Sequence, residues 1–417
     1  MSQNQDIKSL RFKEMEWVAS NIQQELPKIE QIIRSQSFFI DDTLVDYLMT
    51  YFREKVNGKP IRAYFTWKSF EYLAFYEVKK DSDNKLISDL DPHQIFSTKL
   101  PLVFELAMTI QYLHNHILDE KMDARLSNRK KINKNLIESN LLREVMFTYV
   151  KQEIFPCIGI EKNKVLKDRL RKLMMNVDLG QRLEKEFGTY ENWTTGSMPP
   201  FHSNIWLGDD YCRTLMQPFI DGVLNELKIG KAFTQIYFHR IYWTAVYFFR
   251  VILEVVAELL DYFDQPLTRA LHTFAIYYGF LAQVLNDCID FTYTEDPNEM
   301  TRLKATGKKS TDFMADLFNS NITLPLVYHL QENYRGKIEG YLEGGRRAKK
   351  LLNIYPKQIM QEIVRSGAIL KSVSFTLKLS KSATVHLDPH NPVTPFLDNM
   401  CEITKDNKYL RILLNQD

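Results

Sequence analysis

The sequence predicts an all-α protein, and three observations lead to this prediction. Apolar residues recur with the helical spacing of three and four over most of the 417 residues. Alternating runs joined by hairpin turns, which would indicate β-strands, are nearly absent. Breaker residues stand where helices should end, at Asn57-Gly58, Asp91-Pro92 and Asp296-Pro297. We therefore expect one large helical bundle.

The helical pattern also indicates how the chain is organised. It is visible near residues 14–34, 43–56, 61–78, 98–122, 136–152, 164–187, 211–228, 232–263, 266–293, 311–333, 335–353 and 356–380. An irregular stretch from Thr194 to Asn204 interrupts it. We expect an N-terminal helical appendage over 1–34, a main domain over 35–380 with an insertion near 190–230, and a C-terminal extension over 381–417.

The composition limits the class of protein. Hydrophobic residues make up 45% and charged residues 25%, which is usual for a soluble globular protein. A formal net charge of +2 gives no global field that would favour nucleic acid. The 21 Tyr, 26 Phe and 5 Trp imply a heavy aromatic core or an apolar cavity. Because the four cysteines are scattered and the N-terminus has no apolar signal segment, we expect a cytoplasmic protein.

The most apolar stretch begins at Ile241 and is expected to be a core helix. Arg250, Glu254 and Glu258 interrupt it at a spacing of four, which places three charges on one face. A membrane-spanning helix needs about 20 predominantly apolar residues. No transmembrane segment is therefore expected.

Two acidic clusters are candidates for a metal site. Asp119 and Asp123 are four apart, so their carboxylates lie on one face of a helix. Asn286 and Asp290 have the same spacing, with Asp287 beside them, at the end of an almost wholly apolar run. Oxygen ligands of this kind suit Mg²⁺, and charges at the end of an apolar run are costly unless they are paired. The alternative in each case is an ordinary solvated face.

If the two clusters face each other across an apolar cavity, they would hold a metal-bridged phosphate. Basic residues that could bind such a phosphate occur as pairs, each of which could equally be ordinary loop charge: Lys59 with Arg62, Arg129 with Lys130, and Lys308 with Lys309.

The order of these motifs resembles that of the trans-isoprenyl diphosphate synthases, the polyprenyl synthetase branch of the class I isoprenoid synthases. The resemblance covers roughly residues 35–380. It is carried by "GKPIRA" at 58–63, "DEKMD" at 119–123, "NRK" at 128–130, "YFHRIYWTAVYFF" at 237–249, "QVLNDCID" at 283–290 and "DLFNSNITLP" at 316–325.

The resemblance implies a fold, a cofactor and roles for individual residues. The fold is an isoprenoid synthase bundle around a central apolar cavity, and the cofactor is Mg²⁺. The metal would be held by Asp119, Asp123, Asn286, Asp287 and Asp290, with Glu120 at the position of the family's second aspartate. Isopentenyl diphosphate would be bound by Lys59, Arg62 and Arg129, and the allylic diphosphate by Lys308. Aromatic residues on the matching helices would line the cavity, unless they are plain core: Tyr242, Phe248, Tyr277 and Tyr278.

Several positions depart from the family pattern. Asn128 replaces the first paired arginine, Trp243 the lysine before Thr244, Asn321 the lysine before "TLP", and Tyr112 a His or Gln upstream of the first motif. Asn286 heads the second motif as it does in terpene cyclases of the same superfamily.

The residues and the resemblance together favour one activity and leave two alternatives. The favoured activity is Mg²⁺-dependent ionisation of an allylic prenyl diphosphate followed by condensation with isopentenyl diphosphate. The alternatives are a terpene synthase, which uses the same ionisation without isopentenyl diphosphate, and a non-catalytic partner subunit of a prenyl synthase. The expected partners are prenyl diphosphates and a second copy of the chain as a homodimer, with no nucleic acid.

Overall fold

The computed structural model confirms the all-α prediction. It describes residues 2–36, 42–58, 60–80, 92–123, 129–188, 209–262, 265–291, 321–332 and 356–405. Within these ranges all regular secondary structure is helical, apart from an isolated bridge residue at Asn321. None of the helices in this part of the chain is both long and apolar enough to cross a bilayer.

The helices are numbered here in chain order. They are α1 (Ser2–Ser35), α2 (Asp42–Gly58), α3 (Ile61–Lys80), α4 (Leu100–Asp123), α5 (Arg129–Tyr149), α6 (Ile160–Phe187), α7 (Asp210–Glu226), α8 (Lys231–Ile241), α9 (Tyr247–Leu259), α10 (Gln265–Ile289), α11 (Leu324–Glu332), α12 (Pro356–Arg365), α13 (Ala368–Thr384) and α14 (Thr394–Lys405). A single turn, Pro92–Gln94, precedes α4.

Three five-residue π-helical turns adjoin these helices. Ile95–Lys99 leads into α4, Val150–Ile154 follows α5, and Tyr242–Val246 joins α8 to α9. A π-turn carries one more residue than an α-turn, so it widens the helix locally and rotates the side chains that follow it.

The chain divides into two compact units. Unit 1 comprises Met1–Met175, Phe248–His272 and Leu387–Asn399, and unit 2 comprises Asn176–Tyr247, Thr273–His386 and Met400–Asp417. The three-part division expected from the sequence stays a prediction. Helix α1, the expected appendage, packs on α2, α3, α4 and α5 of unit 1 and buries one face that includes Val18, Ile22, Ile29 and Ile33.

The charged stripe of α9 is paired within unit 1. Arg169 of α6 lies 2.7 Å from a carboxylate oxygen of Glu254 and 2.7 Å from one of Glu258. Arg250 lies 3.5 Å from Glu254 on the same helix. The three interruptions of the apolar run at Ile241 therefore form an ion-pair network on a helix whose other faces are buried, as the sequence predicts for a core helix.

In unit 2, α8 packs on α7 and α11, and α11 and α12 pack on α13. Helix α10 approaches the π-turn Tyr242–Val246 very closely at Gly279. A Cβ atom placed at Gly279 would lie 2.7 Å from the Cα atom of Val246. Only a residue without a side chain fits at this point.

We expect the Gly279→Ala variant to be destabilised by about 1–3 kcal/mol, because the added methyl group meets backbone that cannot move away. Gly222→Ala is the matched control. A Cβ atom at Gly222 of α7 has nothing within 4 Å, and alanine is the better helix former. In urea unfolding, the midpoint should be lower than that of the original protein for Gly279→Ala but not for Gly222→Ala. Equal midpoints for the two variants would contradict the close approach.

Candidate functional site

The first acidic cluster lies at the C-terminal end of α4. Asp119 and Asp123 are in the last turns of this helix, and Arg129 is the first residue of α5. The structure describes the backbone of these three residues but not their side chains. Lys59 and Lys308 lie outside the described residues altogether. Their roles in binding metal and diphosphate therefore stay predictions.

Arg62, at the start of α3, is the one diphosphate-binding candidate whose side chain is described. Its guanidinium carbon lies 5.9 Å and 5.8 Å from the ring centroids of Phe248 and Phe249. Its buried Nε atom has no hydrogen-bond partner. The planar guanidinium thus lies on apolar rings, a setting in which arginine keeps its charge and can bind an anion through its fork of donors.

Glu105 of α4 fixes the start of α3. Its carboxylate accepts a hydrogen bond of 3.0 Å from the backbone N–H of Ala63, a donor that has no partner within its own helix. Burial raises the pKa of Glu105, and the nearby positive charge of Arg62 opposes this shift. Glu105 therefore orients the helix end that carries Arg62.

The second acidic cluster lies at the C-terminal end of α10, in unit 2. Asn286 is exposed, Asp287 is fully buried and Asp290 is buried. Within the described ranges, no group of three or more His, Cys, Asp or Glu side chains is placed to hold a metal ion. Because the side chains of Asp119 and Asp123 are outside those ranges, the shared metal site is not tested.

Asp287 belongs to a buried hydrogen-bond network that sequence reasoning missed. One carboxylate oxygen accepts from Gln283 at 2.7 Å. The other accepts from the Tyr237 hydroxyl at 2.7 Å and from Arg240 at 3.2 Å. Arg240 also pairs with Glu184 of α6. Both oxygens of Asp287 thus have protein partners, and its predicted role as a metal ligand stays untested.

Arg240 carried a signal that could have revealed this network. It is the one basic residue between Phe238 and Phe249, in an otherwise apolar or aromatic run, apart from His239. A guanidinium at such a position must be paired with carboxylates when it is buried. The sequence shows the need for a partner but does not show that Glu184 and Asp287 meet it.

Trp243, which stands where the family has a lysine, is held by several neighbours, among them the Tyr242 ring at 4.8 Å between centroids. Its indole N–H donates to the Nε2 atom of His239 at 3.0 Å. A Cβ atom at Gly180 would lie 2.6 Å from the Trp243 Cβ, so the glycine leaves room for this residue. The Tyr247 ring lies 5.2 Å from the indole, centroid to centroid. The half-buried side chain is thus fixed as a neutral aromatic surface in place of a cation.

The four predicted cavity-lining rings are all buried. Phe248 lies edge-on to Phe104 in unit 1. In unit 2, Tyr277 lies edge-on to Phe219 and Tyr278 stacks on Phe274. The Tyr242 hydroxyl donates to Asp209 at 3.1 Å. These contacts are those of core residues, and the lining role stays a prediction.

Two buried histidines of unit 2 make the stability of the fold sensitive to acid. Burial lowers the pKa of His239 and of His329 from 6.5 to about 4. The unfolded chain therefore binds the proton more tightly than the folded chain. The contribution of each neutral histidine to the free energy of unfolding is fully present above pH 6.5 and is lost as the pH falls toward 4. At pH 5 the loss amounts to about 2 kcal/mol per histidine.

When the pH is lowered from 7.5 to 5, the free energy of unfolding should fall in both proteins. We expect the fall to be about 2 kcal/mol smaller in the His239→Gln variant than in the original protein. Urea unfolding at both pH values measures this difference. A His239→Gln profile parallel to that of the original protein would rule out the assignment.

Comparison with known proteins adds evidence on the fold. No protein-family model and no curated protein matches the sequence. Among solved structures, geranylgeranyl pyrophosphate synthase from Corynebacterium glutamicum, complexed with isoprenyl diphosphate and magnesium, is 15% identical with a TM-score of 0.59. The match covers 94% of this chain and 98% of that one.

Two further structures give the same result. Heptaprenyl diphosphate synthase from Staphylococcus aureus is 16% identical with a TM-score of 0.57, covering 95% of this chain and 98% of that one. Geranylgeranyl pyrophosphate synthetase from the archaeon Geoglobus acetivorans is 14% identical with a TM-score of 0.56, at the same two coverages of 95% and 98%. This chain therefore has the all-α isoprenoid synthase fold, which these three solved proteins share.

Proposed function

We propose that this protein is a prenyltransferase that ionises an allylic prenyl diphosphate and joins it to isopentenyl diphosphate. The observation that carries the proposal is the similarity in fold, along 93–98% of both chains, to proteins described as polyprenyl or geranylgeranyl diphosphate synthases. The order of the motifs along the sequence supports it, because that order resembles the order in the trans-isoprenyl diphosphate synthases.

The proposed site uses both acidic clusters. Asp119, Asp123, Asn286 and Asp290 would hold Mg²⁺, with Asp287 as an additional candidate, and their carboxylate and amide oxygens are the donors that this ion prefers. When bound, Mg²⁺ neutralises the negative charge that develops on the departing diphosphate. Asn286 is exposed near the C-terminal end of α10.

The basic residues would position the two substrates. Lys59, Arg62 and Arg129 would bind isopentenyl diphosphate, and Lys308 the allylic diphosphate. Two observations support this role for Arg62: Glu105 orders the start of its helix, and its guanidinium lies near the rings of Phe248 and Phe249. The proposed lining rings would keep water from an allylic cation and stabilise it by about 1–2 kcal/mol each when desolvated.

A second candidate function is that of a terpene synthase. The exposed Asn286 and the neutral, aromatic Trp243 favour it, because both replace charged groups of the prenyl synthase pattern. In this case the cation rearranges or meets water, and isopentenyl diphosphate is not needed. The engagement of both Asp287 oxygens by protein groups is also compatible with a third role, that of a non-catalytic partner subunit.

Purified protein incubated with Mg²⁺ and geranyl, farnesyl or geranylgeranyl diphosphate separates the three functions. We expect a longer prenyl diphosphate that forms only when isopentenyl diphosphate is added. A hydrocarbon or alcohol formed without isopentenyl diphosphate would identify a terpene synthase. Unchanged substrate in every mixture would reject catalysis by this chain alone and leave the partner subunit. Light scattering of the same sample should give the mass of a homodimer, the assembly we propose.

A further inference from the structure

A groove on unit 2 is lined by none of the residues assigned to the proposed reaction, although one of its rings, Phe219, contacts the proposed lining residue Tyr277. It is formed by α7, α11 and α13 and has a volume of about 210 Å³. The groove has an apolar floor, a basic edge and a glycine, Gly222, that leaves space in its wall. Together these features suit a small ligand with an apolar body and an anionic head.

The floor of the groove is apolar and largely aromatic. Val223, Tyr328 and Phe375 are buried there. Phe219 is half-buried and is held edge-on against Tyr277, with the ring centroids 5.5 Å apart. Rings fixed in this way offer flat apolar surface with little loss of conformational freedom on binding. The floor therefore suits an aromatic or branched apolar group.

The edge of the groove is basic. Lys371, Ser374 and Lys378 are separated by three and four residues on α13, which places them on one helical face. Lys371 is anchored over the Tyr328 ring, with its Nζ atom 5.7 Å from the centroid. The one acid of the lining, Glu226, accepts a hydrogen bond of 3.3 Å from the Tyr328 hydroxyl. Lys371, Ser374 and Lys378 thus line the groove together, where their ammonium and hydroxyl groups can donate hydrogen bonds to an anion.

Gly222 of α7 keeps the space open. A Cβ atom built at this position would meet nothing within 4 Å, although the residue lines the groove. Glycine lowers the stability of a helix interior relative to alanine, and no crowding requires it here. A larger side chain at this position would occupy the groove itself without displacing any neighbour.

We propose that this groove binds a small organic anion, with a carboxylate, sulfonate or phosphate head between Lys371 and Lys378 and an aromatic or branched apolar body on the Phe219 and Phe375 rings. The volume is below the 300–1,000 Å³ or so of sites for drug-sized ligands, so the ligand is the size of about one or two rings. The binding does not depend on prenyl transfer.

A pair of dyes tests the two halves of the site separately. Dimethylaminonaphthalene sulfonate, a two-ring dye, carries the anionic head, and dimethylaminonaphthalene is its neutral counterpart. In calorimetric titrations of the full chain we expect one saturable site for the sulfonate. The double variant Lys371→Ala/Lys378→Ala should weaken sulfonate binding about tenfold while changing the affinity for the neutral dye less than about twofold, since only the charged hydrogen bonds are lost.

Gly222→Phe should weaken the binding of both dyes about tenfold, because the new ring occupies the floor. Two control variants alter the same residue types outside the groove: Gly159→Phe, where a Cβ atom also has nothing within 4 Å, and Lys381→Ala, an exposed lysine further along α13. Absence of a saturable site, unchanged binding in Gly222→Phe, or equal weakening in the control variants would each overturn the proposal. None of these outcomes depends on whether the protein turns over prenyl diphosphates.

Discussion

Asp119→Ala should lower the turnover of an allylic diphosphate about a thousandfold, equivalent to about 4 kcal/mol of activation free energy. In the proposed site this carboxylate is a metal ligand whose loss leaves the departing diphosphate poorly neutralised. Asp119 lies near the C-terminal end of α4, where its replacement should leave the helix intact. The measurement is kcat with saturating substrate and Mg²⁺.

The structural control for this variant is the unfolding midpoint, which should equal that of the original protein. A matched charge control is Asp168→Asn, an exposed acid on α6 that pairs with Lys172 at 2.8 Å. That change should leave kcat within about twofold, because a solvated pair contributes little. If Asp119→Ala kept full activity, the metal assignment at the first cluster would be lost, even if the prenyltransferase activity itself remained.

Arg240→Leu should lower the free energy of unfolding by about 3–5 kcal/mol. The guanidinium is buried between the carboxylates of Glu184 and Asp287, and its replacement takes this cation away from two buried negative charges. Urea unfolding at pH 7.5 measures the loss. Loss of stability below about 1 kcal/mol would show that the network is open to water.

An exposed ion pair on the same helix as Glu184 gives the comparison. Arg182 lies 2.6 Å from Glu186, and both side chains are well exposed, so Arg182→Leu should cost about 0.5 kcal/mol or less. Adding Asp287→Asn to Arg240→Leu removes one stranded charge. We expect the double variant to recover at least about 1 kcal/mol, a coupling that two independent sites would not show.

Helical periodicity was sufficient to predict the class of fold and the nature of α9. The all-α architecture follows from local spacing, because each amphipathic pattern records one buried face. The same reasoning applies to Arg250, Glu254 and Glu258, which lie on one face of α9. There Arg169 pairs with both glutamates, and Arg250 pairs with Glu254. In these cases the structure is determined by residues that are only a few positions apart along the chain.

The partners of buried charges could not be predicted in this way. Arg240 lies 47 residues from Asp287 and 56 from Glu184, and periodicity shows which face is buried but not what covers it. The resemblance assigned Asp287 to a metal, whereas the structure gives both its oxygens protein donors. His239 was likewise overlooked, because a sequence does not show that its ring accepts from Trp243.

The widened turn at Tyr242–Val246 bears on how far this chain can be traced by comparison of sequences. It contains Trp243 and Thr244, and a relative that lacks the extra residue is one position shorter across the helix. An alignment without a gap would then be shifted by one residue at Trp243 and Thr244, the pair that identifies this helix. A single-residue deletion here would rotate every later side chain of the helix by about 100°, so the geometry of the fold constrains the number of residues in this turn.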